Sequence, residues 1–144
     1  MSQVAVTPFA VHPKDRRHDA RPLWDRSDPT HPRPSHRTAQ RLCDAVALAT
    51  AAAFAVPVGE LIAATRGTPY AAFARQSAMY LAHVTFHLTY AEVGRAFGRD
   101  RTTAAYACQL IEERRDDPAV DAVLGSLESA CSALRRRLSA PVQS

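Results

Sequence analysis

Residues 89–115 read TYAEVGRAFGRDRTTAAYACQLIEERR, a pattern of two helices joined by a tight turn. Thr89 followed three residues later by Glu92 forms a capping box, which satisfies free backbone N–H groups at a helix start. Tyr90, Val93 and Phe97 then recur at helical spacing. Gly98 supplies the residue type that best tolerates the left-handed conformation ending a helix. Asp100 is placed to cap a second helix, in which Ala104, Ala107, Cys108 and Ile111 fall at i, i+3, i+4 and i+7 and give a narrow buried face of small residues. The opposite face is left to Arg101, Thr102, Ala105, Tyr106 and Gln109. These side chains bring chemistry suited to base edges and phosphates, so the pair reads as a helix-turn-helix.

Working outward, GRAFGRDRTTAAYACQLIE resembles the signature of the C-terminal DNA-binding domain (domain IV) of the bacterial replication initiator DnaA, roughly AFG-G-R-D-H-T-T-x-x-H-A-x-x-K-I-E. The resemblance continues back through Ala74-Arg75-Gln76 and Met79-Tyr80-Leu81-Ala82, matching the family's P-R-Q-x-A-M-x-L-A run. It reaches Val58-Gly59-Glu60-Leu61-Ile62, matching V-x-D-L-L, and covers about Leu42 to Arg115, half the chain. It implies an all-α, Trp-repressor-like bundle of about six helices and a DNA-reading function. Carried over by position, it places Asp100, Arg101, Thr102 and Thr103 at bases or nearby phosphates of the major groove and counts Arg99 and Arg66 among the DNA-binding residues. Arg75, Gln76 and Tyr106 would hold the DNA backbone. Three departures stand out: one glycine is missing before Arg99, and the family's two histidines are Arg101 and Tyr106 here. The DNA site is therefore expected to differ from the standard DnaA box.

A chain of 144 residues with a proline-rich start has room for one domain of roughly 100 residues. The formal charge of +4 and a pI of about 9.3 suit an anionic partner without demanding one. All basic residues except Lys14 are arginine, which together with abundant alanine points to coding bias. The three cysteines, Cys43, Cys108 and Cys131, each fall within a helical pattern; their odd number suits free thiols in a reducing cytosol. With no bilayer-length apolar run and no signal-peptide pattern, a soluble cytoplasmic protein is expected.

Residues 1–34 hold six of the ten prolines and few aliphatics, so a disordered arm is expected there. Within it, RPLWDRSD sets Trp24 between charges as a candidate docking motif for another protein. Lys14, Arg16, Arg17, Arg21, Arg26 and Arg33 can add phosphate attraction. The domain is expected over 35–139, with a tail at 140–144. Its first helix starts near Ser35, carries Leu42, Val46, Ala49 and Ala53 on one stripe, and ends where Pro57 forces Val56 out of helical geometry. Pro57 opens a short helix, PVGELIAAT. Arg66-Gly67-Thr68-Pro69 reads as a loop; the family's equivalent loop is strongly basic and sends an arginine into the minor groove, and Arg66 is the one candidate for that contact here. Tyr70 to Phe86 forms the central helix, apolar nearly all round through Phe73, Ala74, Ala78, Leu81, Ala82 and Val84. Arg75 and Gln76 lie in its first turns, where the helix dipole favours a phosphate. After Asp117-Pro118 a last helix carries Val120, Leu124, Leu127, Cys131, Leu134 and Leu138 in a near-heptad stripe. That stripe caps the core or forms a seam for a weak dimer.

His83 and His87 have metal-ligand spacing but no third ligand nearby, so packing is the simpler reading and no metal or other cofactor is expected. No G-x-x-x-x-G-K-[ST] phosphate loop occurs, and no nucleophile with its base can be assembled, so an enzyme is not expected. The expected function is a sequence-specific, double-stranded DNA-binding regulator of transcription, working with RNA polymerase or a sigma-like partner. Gene-transfer-agent and prophage-like regulators include modules of this kind, an analogy that favours activation. A replication modulator at DnaA-type sites and an interaction module that has lost DNA binding are the alternatives.

Overall fold

A computed structural model describes residues 32–63 and 67–139, and every regular element among them is helical: α1 His36–Phe54, α2 Val58–Ile62, α3 Pro69–Phe86, α4 Tyr90–Ala96, α5 Arg101–Arg114 and α6 Pro118–Ser139. The all-α expectation of about six helices holds. Trp24, Arg66 and the 140–144 tail lie outside the described residues. Arg33, counted with the arm from sequence, is ion-paired to Glu92 of α4.

Ser35 caps α1 by accepting the Thr38 N–H at 3.1 Å. The buried stripe is wider than expected: Ala39, Cys43, Ala47, Thr50, Ala51 and Phe54 join Leu42 and Val46, whereas Ala53 is exposed. Thr50 is tolerated in the core because its hydroxyl donates to the Val46 carbonyl at 2.7 Å. The helix ends before Pro57 can act. Ala55 turns left-handed at φ 54, and the Ala55 and Val56 N–H groups fold back to the carbonyls of Ala52 and Ala51.

Pro57 opens α2 as expected, but α2 stops at Ile62 with Ala63 extended, earlier than the sequence suggested. A helix end leaves carbonyls without intrahelical partners. Two guanidiniums satisfy them here. Arg75 donates from Nε to the Leu61 carbonyl at 2.7 Å and from Nη2 to Glu60 at 3.1 Å. Arg99 donates from Nη2 to Ala63 at 2.7 Å.

The central helix α3 starts one residue early because Thr68 caps it, accepting the Ala71 N–H at 3.1 Å, and Pro69 occupies the first turn, where its missing N–H costs nothing. It packs against α1, α5 and α6 and also touches α2 and α4. Met79, Tyr80, Leu81 and Phe86 are wholly buried; each such side chain contributes about 1.5–3 kcal/mol of burial. At its end His87 adopts φ 55, and the His83 ring donates from Nδ1 to the Leu88 carbonyl at 2.8 Å while stacking on Tyr90. No group of three or more His, Cys, Asp or Glu side chains placed to hold a metal ion occurs among the described residues.

The last helix follows the heptad stripe only part way. Leu124, Leu127 and Cys131 are buried against the core, whereas Leu134 and Leu138 stand 37% and 54% exposed. A buried ion network, not anticipated from sequence, locks α6 to the end of α5. Arg115 is paired with Asp121 at 2.6 Å and Glu128 at 2.7 Å and donates to the Tyr80 hydroxyl at 3.1 Å. Burial alone would depress this guanidinium's pKa; the hydrogen bonds it donates to Glu128 and Asp121 more than offset this and hold the pKa above the ordinary value.

All three cysteines are buried free thiols. Burial, aided by Asp44 and Glu92, pushes Cys43 up to about 12, and burial beside Glu128 pushes Cys131 up to about 11. Neither forms thiolate readily at neutral pH. No helix among the described residues is long and apolar enough to cross a membrane.

Candidate nucleic-acid interface

The turn between α4 and α5 is held by backbone geometry before any side chain reaches outward. The capping box at Thr89 forms, its hydroxyl accepting the Glu92 N–H at 3.1 Å and the Glu92 carboxylate accepting the Thr89 N–H at 2.9 Å. Gly98 adopts φ 65, as its position in sequence suggested. The tightest point lies elsewhere. The Arg99 N–H donates to the Gly94 carbonyl at 2.7 Å, and a Cβ on Gly94 would stand 2.7 Å from the Arg99 carbonyl oxygen and 2.9 Å from that of Asp100. Only glycine fits at 94 without moving the turn. Sequence reasoning passed over this residue, although a glycine inside a helical pattern is a signal of close backbone approach.

Asp100 caps α5 as expected: one carboxylate oxygen accepts the Thr103 N–H and the Thr102 hydroxyl, both at 2.7 Å. The backbone N–H of Thr103, then the hydroxyl of Thr102, hold its pKa below the usual carboxylate value. The expected DNA contact through Asp100 therefore has to share that group with the cap. Its clearest service is to fix Thr102 and Thr103 on the first turn. Arg101, Thr102, Thr103, Tyr106 and Gln109 are exposed on α5, and Arg101 makes no ion pair among the described residues. Ala104, Ala107, Cys108 and Ile111 face inward, so the small-residue stripe lets α5 seat closely.

Beside this first turn runs an open groove of about 530 Å³, formed by the start of α3 (Thr68, Pro69, Ala72, Arg75, Gln76) and by Arg99, Thr103 and Tyr106. No residue lining it is acidic. Burial and then the nearby charge of Arg99 depress the Arg75 guanidinium's pKa. The groove thus collects two cations, two threonine hydroxyls, a glutamine amide and a phenol, the groups that hold sugar-phosphate backbone.

The structure brings together five of the expected site residues, Arg75, Gln76, Arg99, Thr103 and Tyr106, and sets Asp100, Arg101 and Thr102 on the adjoining turn. It adds a structural role for Arg75, which lies in the second turn of α3, is 6% exposed and donates two of its N–H groups to the α2 carbonyls while also lining the groove. The reason is the orphaned end of α2, which no pattern in the sequence announced. Thr68 and Pro69 were read as loop, yet threonine before proline is a cap and first-turn pair.

Compared with known proteins, residues 43–111 match the family model described as the bacterial DnaA protein helix-turn-helix. The match begins within α1, spans α2 to α4 and ends inside α5, leaving α6 outside it. No curated protein matches the chain.

Proposed function

We propose that this chain, whose residues 43–111 are a helix-turn-helix domain of the bacterial DnaA family, is a sequence-specific reader of double-stranded DNA that regulates transcription. The observation that carries this is the acid-free groove holding Arg75 and Arg99 directly beside the exposed first turn of α5. A phosphate of one strand neutralises the two guanidiniums, which fixes register without reading sequence. That seat lays the start of α5 in the major groove. Arg101 then reads a base, since a guanidinium pairs bidentately with guanine O6 and N7 in a way that the family's histidine does not. Thr102 and Thr103, oriented by the Asp100 cap, serve neighbouring base or phosphate positions.

Regulation follows if the DNA-bound chain recruits RNA polymerase or a sigma-like partner at a promoter. A competing reading, a replication modulator occupying DnaA-type sites, is disfavoured by arginine at 101 and tyrosine at 106. Genome-wide occupancy mapping separates the two. Enrichment at promoters is expected, enrichment confined to replication origins would support the modulator, and no enrichment anywhere would remove DNA reading altogether.

A further inference from the structure

The heptad stripe of α6 runs past the core it caps. Positions 124, 127 and 131 are buried in the domain, and the next two, Leu134 and Leu138, continue the same 3,4 spacing into solvent at 37% and 54% exposure. In heptad terms Leu134 and Leu138 are d and a; Arg135 and Arg137 take the e and g positions that flank a helical seam. Arg136 and Arg137 are exposed, and Arg135 donates from Nη1 to the His87 Nε2 at 3.3 Å. That contact joins the end of α6 to an open pocket of about 290 Å³ bounded by His83, Val84, His87, Leu88 and Thr89.

We infer that the last two turns of α6, with this neighbouring pocket, form a docking surface for an acidic amphipathic helix of another protein. Leucines at a and d accept the partner's apolar stripe, and the arginines at e and g accept carboxylates beside it. A second copy of this chain is the wrong occupant. Parallel pairing of this segment sets g against e and antiparallel pairing sets e against e and g against g, and every one of these meetings is arginine on arginine. Phosphate is also a poorer match, because DNA gains nothing from two exposed leucines. The surface moreover lies at the far end of the central helix from the phosphate groove: Arg75 and His87 are twelve residues apart along α3, about 18 Å of helix. A chain seated on DNA through that groove leaves this end facing outward, as recruitment of a partner requires.

The surface deepens the partner half of the proposed function but uses none of its DNA contacts, so each can fail alone. The test uses the full chain and a fluorescein-labelled peptide of about three heptads with leucine at a and d and glutamate at e and g, read by fluorescence anisotropy, alongside a matched peptide with lysine at e and g. The glutamate peptide should bind and the lysine peptide should not. Leu134→Ser with Leu138→Ser, which leaves every charge in place, should weaken binding about tenfold or more without changing the melting temperature. Arg135→Glu with Arg137→Glu should abolish binding of the glutamate peptide and create binding of the lysine one. Duplex DNA affinity should be the same in all three proteins. The inference is overturned by failure of the glutamate peptide to bind, by binding that survives loss of both leucines, by a loss of DNA affinity in the arginine variant, or by sedimentation of the chain as a dimer that the leucine changes dissolve.

Discussion

The backbone N–H of Arg99 rests 2.7 Å from the carbonyl oxygen of Gly94, and this contact closes the turn between the two helices of the helix-turn-helix. Because a Cβ at 94 would meet backbone atoms that have no rotamer to give, Gly94→Ala must open the turn. The expected cost is about 1–3 kcal/mol of stability, which in a domain of this size lowers the melting temperature by several degrees. Affinity for every duplex should fall with it, since α5 would no longer seat beside the groove. An unchanged melting curve and unchanged DNA binding would show that the turn is more adaptable than its geometry indicates.

Arg75 and Gln76 are neighbours in the groove with separable roles. Arg75→Ala leaves the carbonyls of Glu60 and Leu61 without donors, a loss of about 1–3 kcal/mol of stability. It should also weaken specific and random duplexes alike and reduce the salt dependence of binding by about one unit of slope. Gln76→Ala should weaken binding equally on all sequences while leaving the melting temperature in place. Denaturation and DNA titration of both variants check this; loss confined to one DNA sequence would reassign either residue to base reading.

Two carboxylates make the motif sensitive to acid. Burial pushes the Glu92 carboxyl's pKa up, but its hydrogen bonds with Thr89 and Arg33 outweigh this and set it below the ordinary value, and Asp100 is lowered by the Thr103 N–H and the Thr102 hydroxyl. A depressed folded pKa means stability that is present above the unfolded pKa, about 4 for these groups, and lost as pH falls through the folded value. Melting temperature should therefore drop below about pH 4. Glu92→Gln should flatten that fall, and a profile parallel to the parent's would remove Glu92 as its source.

Arg115 is buried with its two carboxylate partners partly in solvent, Asp121 at 35% and Glu128 at 23% side-chain exposure. Arg115→Ala should cost about 2–3 kcal/mol, toward the lower end for a broken buried ion pair because Asp121 and Glu128 keep some hydration. Adding Asp121→Asn and Glu128→Gln should recover part of the loss. Urea denaturation measures both steps, and full stability in the single variant would demote the network to ornament.

Much of the motif was legible because its signals are local. Thr89, Glu92, Gly98 and Asp100 declare helix ends through chemistry acting within three or four residues, and all four occupy the positions that chemistry demands. What stayed hidden depends on contacts across the chain. That Arg75 and Arg99 close the end of α2 follows from where α2 stops, and α2 stops early for want of a terminator that sequence could reveal. Gly94 is required by a carbonyl five residues on, and Arg115 by carboxylates on the next helix. The stripe of α6 was visible as a heptad, but burial alone divides it into a core part and an exposed part.

Selection of duplexes from a random pool by the full chain, repeated with Arg101→Ala, tests the DNA-reading role most directly. The expected result is a single enriched motif containing a guanine whose preference disappears in the variant, with a loss of about 1–3 kcal/mol on the selected site and little change on random DNA. Failure of the full chain to enrich any sequence, or an enriched motif that Arg101→Ala leaves intact with equal weakening everywhere, would contradict the assignment of Arg101 and the first turn of α5 as the reader.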